Sequence, residues 1–388
     1  MRTAAFLYPW DVVGDPAAPA RLADLGIRQV TLAAAYHSTR ALTPRHPRHR
    51  VVTAAHAAVL YPPGAHWQGR TLRPYAAGDW APGDAHAEAA RALRDAGLDV
   101  HTWVVLAHNS RLGADHPRTS VVNAYGDRYP WAPCIAQPAT RAYLVDLAAE
   151  AAVRPGAHGT ELESCGWYGL AHLHAHDKIA GVPLGEAGQY LMSLCFCASC
   201  ARGYAEQGLD PQELTETVRR SLEPLWRGGA RDDGWETVEK LLGADRAAAT
   251  RAWRERTART LQEAVVAAVR AAAPTGFQVL LHADPVPYHG GADAGVDPAH
   301  ILSVADGVVV PCTGGPGLLT PFAERAGDGT VLAANLTVVR GMGGDPAGLA
   351  ADAARAADHG ATQLRLYHAG LASDDDLAHV REALSHVE

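Results

Sequence analysis

Lysine, phenylalanine and methionine are scarce in this chain, which holds four Phe and three Met among 388 residues. Little lysine beside much Ala, Arg, Gly and Pro points to a GC-rich genome of actinobacterial type. Acidic residues outnumber basic ones, giving a net charge of -8, and no basic patch stands out. Nucleic acid and anionic membrane are therefore not expected partners. Nowhere do about eighteen apolar residues follow one another, so no membrane span is predicted. Met1 to Trp10 lacks the apolar segment and small-residue cleavage site of a signal peptide, and it reads as a first strand. Together these absences predict a soluble, cytoplasmic protein. No Gly-x-Gly-x-x-Gly follows that strand, which removes the usual dinucleotide signature of a doubly wound sheet. Internal repeats, low-complexity tracts and flexible linkers are missing too.

What is present is a regular alternation of short apolar, β-branched runs with Ala/Arg/Glu helical patterns, the signal of βα units and a parallel sheet. Eight runs read as strands: Ala4–Trp10, Gln29–His37, Val100–Asn109, Gly159–Trp167, Phe277–Asp284, Gly307–Cys312, Val331–Val339 and Gln363–Gly370. Helical stretches such as Pro16–Leu25, Asp84–Ala96, Thr140–Ala152, Asp345–His359 and Asp374–Val387 lie between or after them. The predicted class is α/β, a (β/α)8 TIM barrel forming one domain over 1–388. Ser38–Asp84, Ser110–Gln137 and Tyr168–Ala273 are too long for plain βα loops. The last predicts a mostly helical insertion at about 168–273, placed after strand four, where long segments wall a site.

Polar and aromatic residues gather at the ends of the predicted strands, the catalytic face of such barrels. Trp10 and Asp11 follow strand one, Tyr36 and His37 end strand two, and His108 and Asn109 end strand three. Glu161 and Glu163 lie in strand four with Trp167 beyond them; His282 and Asp284 end strand five. Asn335 lies in strand seven, and Tyr367 and His368 close strand eight. Glu161 and Glu163 are two apart, so in a strand both carboxylates point to one side, where burial is costly without a partner or a solvated pocket. Glu163, nearer the rim, is the candidate general acid or base, with Glu161 below it as an orienting partner. A clamp by a barrel arginine such as Arg365 is the competing reading of the pair.

Trp and Tyr greatly outnumber Phe, and rings with a polar handle suit the faces and hydroxyl edges of sugars. His172, His174 and His176 alternate, so an extended segment would present all three to one side, as pocket hydrogen-bonding groups or metal ligands, although the spacing is not the helical His-Glu-x-x-His pattern. Cys195, Cys197 and Cys200 are spaced too tightly for a disulfide framework. They form a candidate structural zinc site, with Cys165 or Cys134 as a fourth ligand. Free cysteines at a helix start are the alternative.

The His108-Asn109 pair, the Glu161-Leu162-Glu163 strand, the run from His172 to Asp177-Lys178, and Leu194-Cys195-Phe196-Cys197-Ala198-Ser199-Cys200 carry a resemblance. On them, the chain up to about Tyr204 resembles a poorly characterised bacterial family of glycoside-hydrolase-like TIM barrels with a CFCxxC motif. The resemblance implies a carbohydrate-active role. One departure concerns strand seven, Val331 to Thr337, which has no Asp or Glu where the best-known barrel glycosidases of this layout carry a nucleophile. Asp284 is then the available second carboxylate, with Asp11 the next choice. The expected function is hydrolysis of a glycosidic or pseudo-glycosidic bond, with Glu163 as acid, Asp284 as base or ion stabiliser, and no cofactor required for catalysis. The expected partner is a small polyhydroxylated substrate, a sugar or oligosaccharide. Two rival readings stand beside it. One is a metal-dependent sugar isomerase, epimerase or lyase using some of His37, His108, Glu163, His282 and His368 as ligands; the other is a sugar-binding barrel without catalysis.

Overall fold

The computed structural model describes residues 1–170, 177–179, 181–228 and 234–385. Eight parallel strands form the barrel: β1 (Arg2–Leu7), β2 (Gln29–Tyr36), β3 (Asp99–Val105), β4 (Gly159–Glu163), β5 (Gln278–Asp284), β6 (Gly307–Pro311), β7 (Val331–Thr337) and β8 (Gln363–Tyr367). Each pairs with the next, and β1 pairs with both β2 and β8, so the sheet closes on itself. Closure removes the edges that an open sheet would leave.

The predicted strands begin close to the observed ones but run too far at several C-terminal ends. Tyr8 and Trp10, Leu106 to Asn109, and Ser164 to Trp167 are buried, yet they belong to the loops that fold over the barrel mouth. Burial alone gives a packed loop the same apolar look as a strand.

Along the strands, alternate residues face two cores. Ala5, Leu7, Val30, Leu32, Val104, Leu162, Leu281 and Leu364 pack outward against the helices. Phe6, Ala33, Trp103 and Val105 face inward towards the mouth, and Leu280, Val309, Val331 and Ala333 fill the interior on the β5–β7 side. The β2–β3 register shifts between Ala33 and Ala35. This bulge inserts one residue, so Ala34 and Ala35 both join the outer core while Tyr36 joins Ala33 on the inner one.

Helices α1 (Ala18–Asp24), α2 (Ala85–Asp95) and α3 (Pro138–Ala152) follow the first three strands. Between β4 and β5 lie α4 (Gly185–Ser193), α5 (Ala198–Glu206), α6 (Pro211–Trp226), α7 (Trp235–Leu242) and the 29-residue α8 (Ala244–Ala272). Pro211 at the first turn and the Asp210 side chain, which accepts from the Gln212 and Glu213 N–H groups, start α6. The α8 helix packs along α3 and takes the position of the helix between β4 and β5. Later come α9 (Pro298–Val304), α10 (Leu349–Asp358) and α11 (Asp374–Leu384). Among the described residues no helix is long and apolar enough to cross a membrane.

Candidate active site

Glu161 and Glu163 project from β4 into the barrel, as their spacing requires. Glu161 is fully buried, and its Oε1 accepts from Arg365 Nε at 2.6 Å and from the Thr31 hydroxyl at 3.0 Å. Arg365, on β8, is equally buried and also donates to the Gln363 side chain. His101 lies 3.9 Å from Glu161 on the β3 side. Burial first, then the Arg365 charge, pulls that imidazole well below its ordinary range, so it is neutral. The arginine clamp is thus what Glu161 meets.

Glu163 meets a cavity of about 1120 Å³. Its Oε2 accepts from the indole N–H of Trp103 at 2.8 Å. Desolvation by burial, aided by the charge of Asp293 and opposed by His282 and the Trp103 bond, raises its pKa above the usual carboxylate value. Strand β4 stops here because Ser164 adopts a left-handed backbone, φ +55°, and its N–H donates to the Ala292 carbonyl at 2.8 Å. Such a conformation in a non-glycine residue is costly and held by its surroundings. The bond to Ala292 also fastens the loop after β5, whose Ala294–Gly295 segment returns to pair with Ala283–Asp284. That return delivers Asp293 to the cavity. Gly295 is required at the turn, since a Cβ there would stand 2.5 Å from the His289 carbonyl oxygen and 2.6 Å from that of Val286.

His282 connects the two carboxylate levels, with Nε2 3.8 Å from Glu161 and Nδ1 3.7 Å from Asp293. Burial pulls its pKa down, but attraction to Asp293, Glu163 and Glu161 outweighs that, and the net direction is upward. Asp284 also lines the cavity, with its Oδ1 accepting from the Val286 N–H at 2.8 Å and its Oδ2 lying 2.9 Å from His289 Nδ1. Tyr36, His37, His108, Tyr168 and Tyr367 complete the inner wall. His108 stacks on Tyr168 at 4.6 Å, His37 meets His108 edge-on at 5.0 Å, and the Tyr36 hydroxyl receives a bond from Tyr8. The α4 helix supplies the outer wall through Glu186, Gln189 and Tyr190.

Several residues expected at the site lie elsewhere. Trp10 stacks on Tyr8 and faces a separate cavity beside Trp80. Asp11 turns back to accept the Tyr8 N–H. Asn109 caps the short helix Ser110–Asp115 by accepting from Leu112 N–H. Trp167 is buried and donates to the Arg254 carbonyl. Asn335 sits beside Arg365 in the β7–β8 register, outside the cavity lining. His368 is fully buried against Tyr8, and burial lowers its pKa to about 3. His172, His174 and His176 lie outside the described residues. Among the described residues, His37, His108, Glu163, His282 and His368 do not form a group within metal-binding reach.

Sequence reasoning missed Trp103, Asp293 and Arg254. The first was detectable, because His101, Trp103 and Val105 alternate inward along β3. No periodicity marks Asp293, which lies in a Gly-rich loop.

Away from the cavity, the Sγ atoms of Cys134, Cys195, Cys197 and Cys200 lie within 4.8 Å of one another. From Cys134 the separations are 3.6 Å to Cys197 and 3.7 Å to Cys195 and Cys200. Four thiolates on a tetrahedral zinc with bonds of about 2.3 Å would stand about 3.8 Å apart, so this set could hold a metal. Cys134, not Cys165, is the fourth sulfur. The Phe196 N–H donates to the Val122 carbonyl in the same region, which ties the approach to α5 to the Ser120–Val122 hairpin strand.

No protein-family model and no curated protein matches the chain. Solved structures match it at the level of the fold. An α-L-fucosidase isoenzyme 2 from Paenibacillus thiaminolyticus is 11% identical with a TM-score of 0.59, over 100% of this chain and 49% of the other. The catalytic domain of a β-amylase from Paenibacillus polymyxa is 12% identical with a TM-score of 0.59, over 99% of this chain and 97% of the other. The PgaB (BpsB) glycoside hydrolase domain from Bordetella bronchiseptica is 15% identical with a TM-score of 0.57, over 99% and 97%. The chain spans about half the length of the fucosidase. At these identities the likeness is one of fold, a barrel of the kind that glycoside hydrolases use.

Proposed function

We propose that the protein hydrolyses a glycosidic bond, with Glu163 as the general acid. The observation that carries this reading is a buried carboxyl, raised in pKa and held by one indole N–H, at the wall of a cavity lined with tyrosines and histidines. A carboxyl whose proton affinity is raised by burial is suited to giving that proton to a leaving oxygen. The second carboxylate must face the other side of the scissile bond. Asp284 is one candidate, but both of its oxygens are engaged by the Val286 N–H and His289. Asp293 is favoured, because it is the carboxylate whose charge acts on Glu163. It would stabilise the developing positive charge or activate water, while Asp284 orients His289. Tyr36, His37, His108, Tyr168 and Tyr367 would bind hydroxyls and stack on the ring. At the four cysteines we propose a structural zinc, closed to substrate, that holds the wall of the cavity in place.

The test is turnover of a panel of aryl glycosides and natural oligosaccharides by the wild type and by Glu163→Gln. Gln keeps the shape and can still accept from Trp103, but it has no acidic proton. Activity should fall about a hundred- to ten-thousand-fold with the thermal midpoint maintained. Sugar binding by a wild type that turns over no member of the panel would assign a binding role instead.

A further inference from the structure

Arg254 of α8 reaches the cavity from the side of the helical insertion. The residue is 3% exposed. Its Nη1 donates to the Ser193 carbonyl at 3.0 Å, and its Nε has no partner. Among the described residues, Nη2 makes no hydrogen bond either, and no carboxylate lies within 4.0 Å of the guanidinium. The rings of Trp167 and Tyr190 flank it at 5.0 and 5.4 Å. Those faces attract a cation but do not neutralise it. By contrast, three of the cavity's carboxylates are matched: Glu163 with Trp103, Asp284 with His289, and Asp293 with His282. Glu186, also in the lining, is not within ion-pair distance of Arg254. A buried guanidinium without a counter-ion is strongly unfavourable unless a ligand supplies one, and arginine suits planar oxyanions because its donors form a fork.

We propose that Arg254 forms an anion subsite and that the sugar bound in this cavity carries an acidic substituent, a carboxylate or a sulfate ester. The inference rests on the carbohydrate reading of the same cavity and narrows its substrate class. Nη1 is taken by the Ser193 carbonyl and Nε is sealed within the protein, so the acidic group docks on Nη2. Trp167 and Tyr190 keep the arginine from swinging out to solvent.

Binding of glucuronate and galacturonate, of glucose and galactose, and of galactose 6-sulfate is measured by calorimetry on the wild type, Arg254→Gln and Arg254→Lys. The acidic sugars should bind the wild type at least about tenfold more tightly than their neutral counterparts. That preference should shrink with added salt, vanish in Arg254→Gln and persist in part in Arg254→Lys. A preference for the sulfate alone assigns a sulfated sugar; a preference for both uronates assigns a uronic acid. Equal or weaker binding of every acidic sugar by the wild type overturns the proposal, as does a preference that survives intact in folded Arg254→Gln. If Arg254→Gln does not fold, the wild-type preference and its salt dependence decide. Acid preference without turnover of any glycoside would sink the hydrolase reading and leave the anion subsite standing.

Discussion

Glu161 and Glu163 leave one strand on the same side, two residues apart, and meet opposite surroundings. The level of Glu161 is sealed: the carboxylate is neutralised by Arg365, with the Thr31 hydroxyl and a neutral imidazole beside it. The level of Glu163 is open on one side, with an indole N–H in place of a cation and a second carboxylate, Asp293, within electrostatic reach. Both side chains are buried, so burial does not separate their roles. The partner does. A guanidinium pairs with Glu161 and fixes it in place, whereas the lack of one leaves Glu163 with a raised proton affinity beside a space that a substrate can enter. His282 stands between the levels and feels both.

Removing the clamp should have the largest effect beyond the loss of activity expected for Glu163→Gln. Glu161→Gln leaves Arg365 buried without a counter-ion and should cost about 3–5 kcal/mol in chemical denaturation. Activity per folded molecule should stay close to that of the wild type. A Glu161 variant that keeps its stability and loses turnover would erase the distinction between the two levels.

Within the open level, Asp293→Asn should lower kcat by about a hundredfold, and Asp284→Asn should lower it less. The reverse order would return the second-carboxylate role to Asp284. Asp293→Asn also removes a charge that raises the pKa of Glu163. The basic limb of the pH–rate profile, where Glu163 loses its proton, should therefore move to lower pH in any residual activity.

The cysteine cluster is a region held by preorganised soft ligands rather than by a charge pair. Purified protein should contain about one zinc per chain, and the triple variant Cys195→Ser, Cys197→Ser, Cys200→Ser should contain none. Its thermal midpoint should fall by several degrees. Stoichiometric metal retained in that variant would locate the ion elsewhere.

The smallest expected effect concerns Asp11, a buried carboxylate with one oxygen on the Tyr8 N–H and the other unpartnered. Burial raises its pKa to about 7, against the pull of that N–H and of Arg45. With the folded-state pKa above the unfolded one, the native state binds the proton more tightly, so its contribution to stability is present at low pH and lost as pH rises through about 7. Thermal melts from about pH 5 to about pH 8 should show this decline in the wild type and a flatter curve in Asp11→Asn. Parallel curves would mean that Asp11 keeps an ordinary affinity despite its burial.

Local pattern made the barrel legible. The apolar runs that became the eight strands, the helical stretches between them and the long helical connection after strand four all follow from periodicities of 2 and 3.6 residues. The same period of 2 put both glutamates inside the barrel, and the Cys-x-Cys-x-x-Cys spacing marked a candidate metal site. Partner choice was legible only as alternatives, Arg365 as a rival reading for the glutamate pair and Cys134 beside Cys165, because the choice is made by closure of the barrel across long stretches of chain. Arg365 is 204 residues from the glutamate it neutralises, and Cys134 is 61 from the nearest of its three companions. A bulge that no propensity announces turned Tyr36 inward. A glycine-rich loop folding back onto β5 brought Asp293 to the cavity, and the fold of the insertion left Arg254 there without a counter-ion among the described residues. Sequence fixes which face of an element a side chain occupies, since that depends on neighbours two to four residues away. What stands opposite that face, and hence whether a carboxylate is clamped or poised, depends on elements that meet only once the barrel has closed.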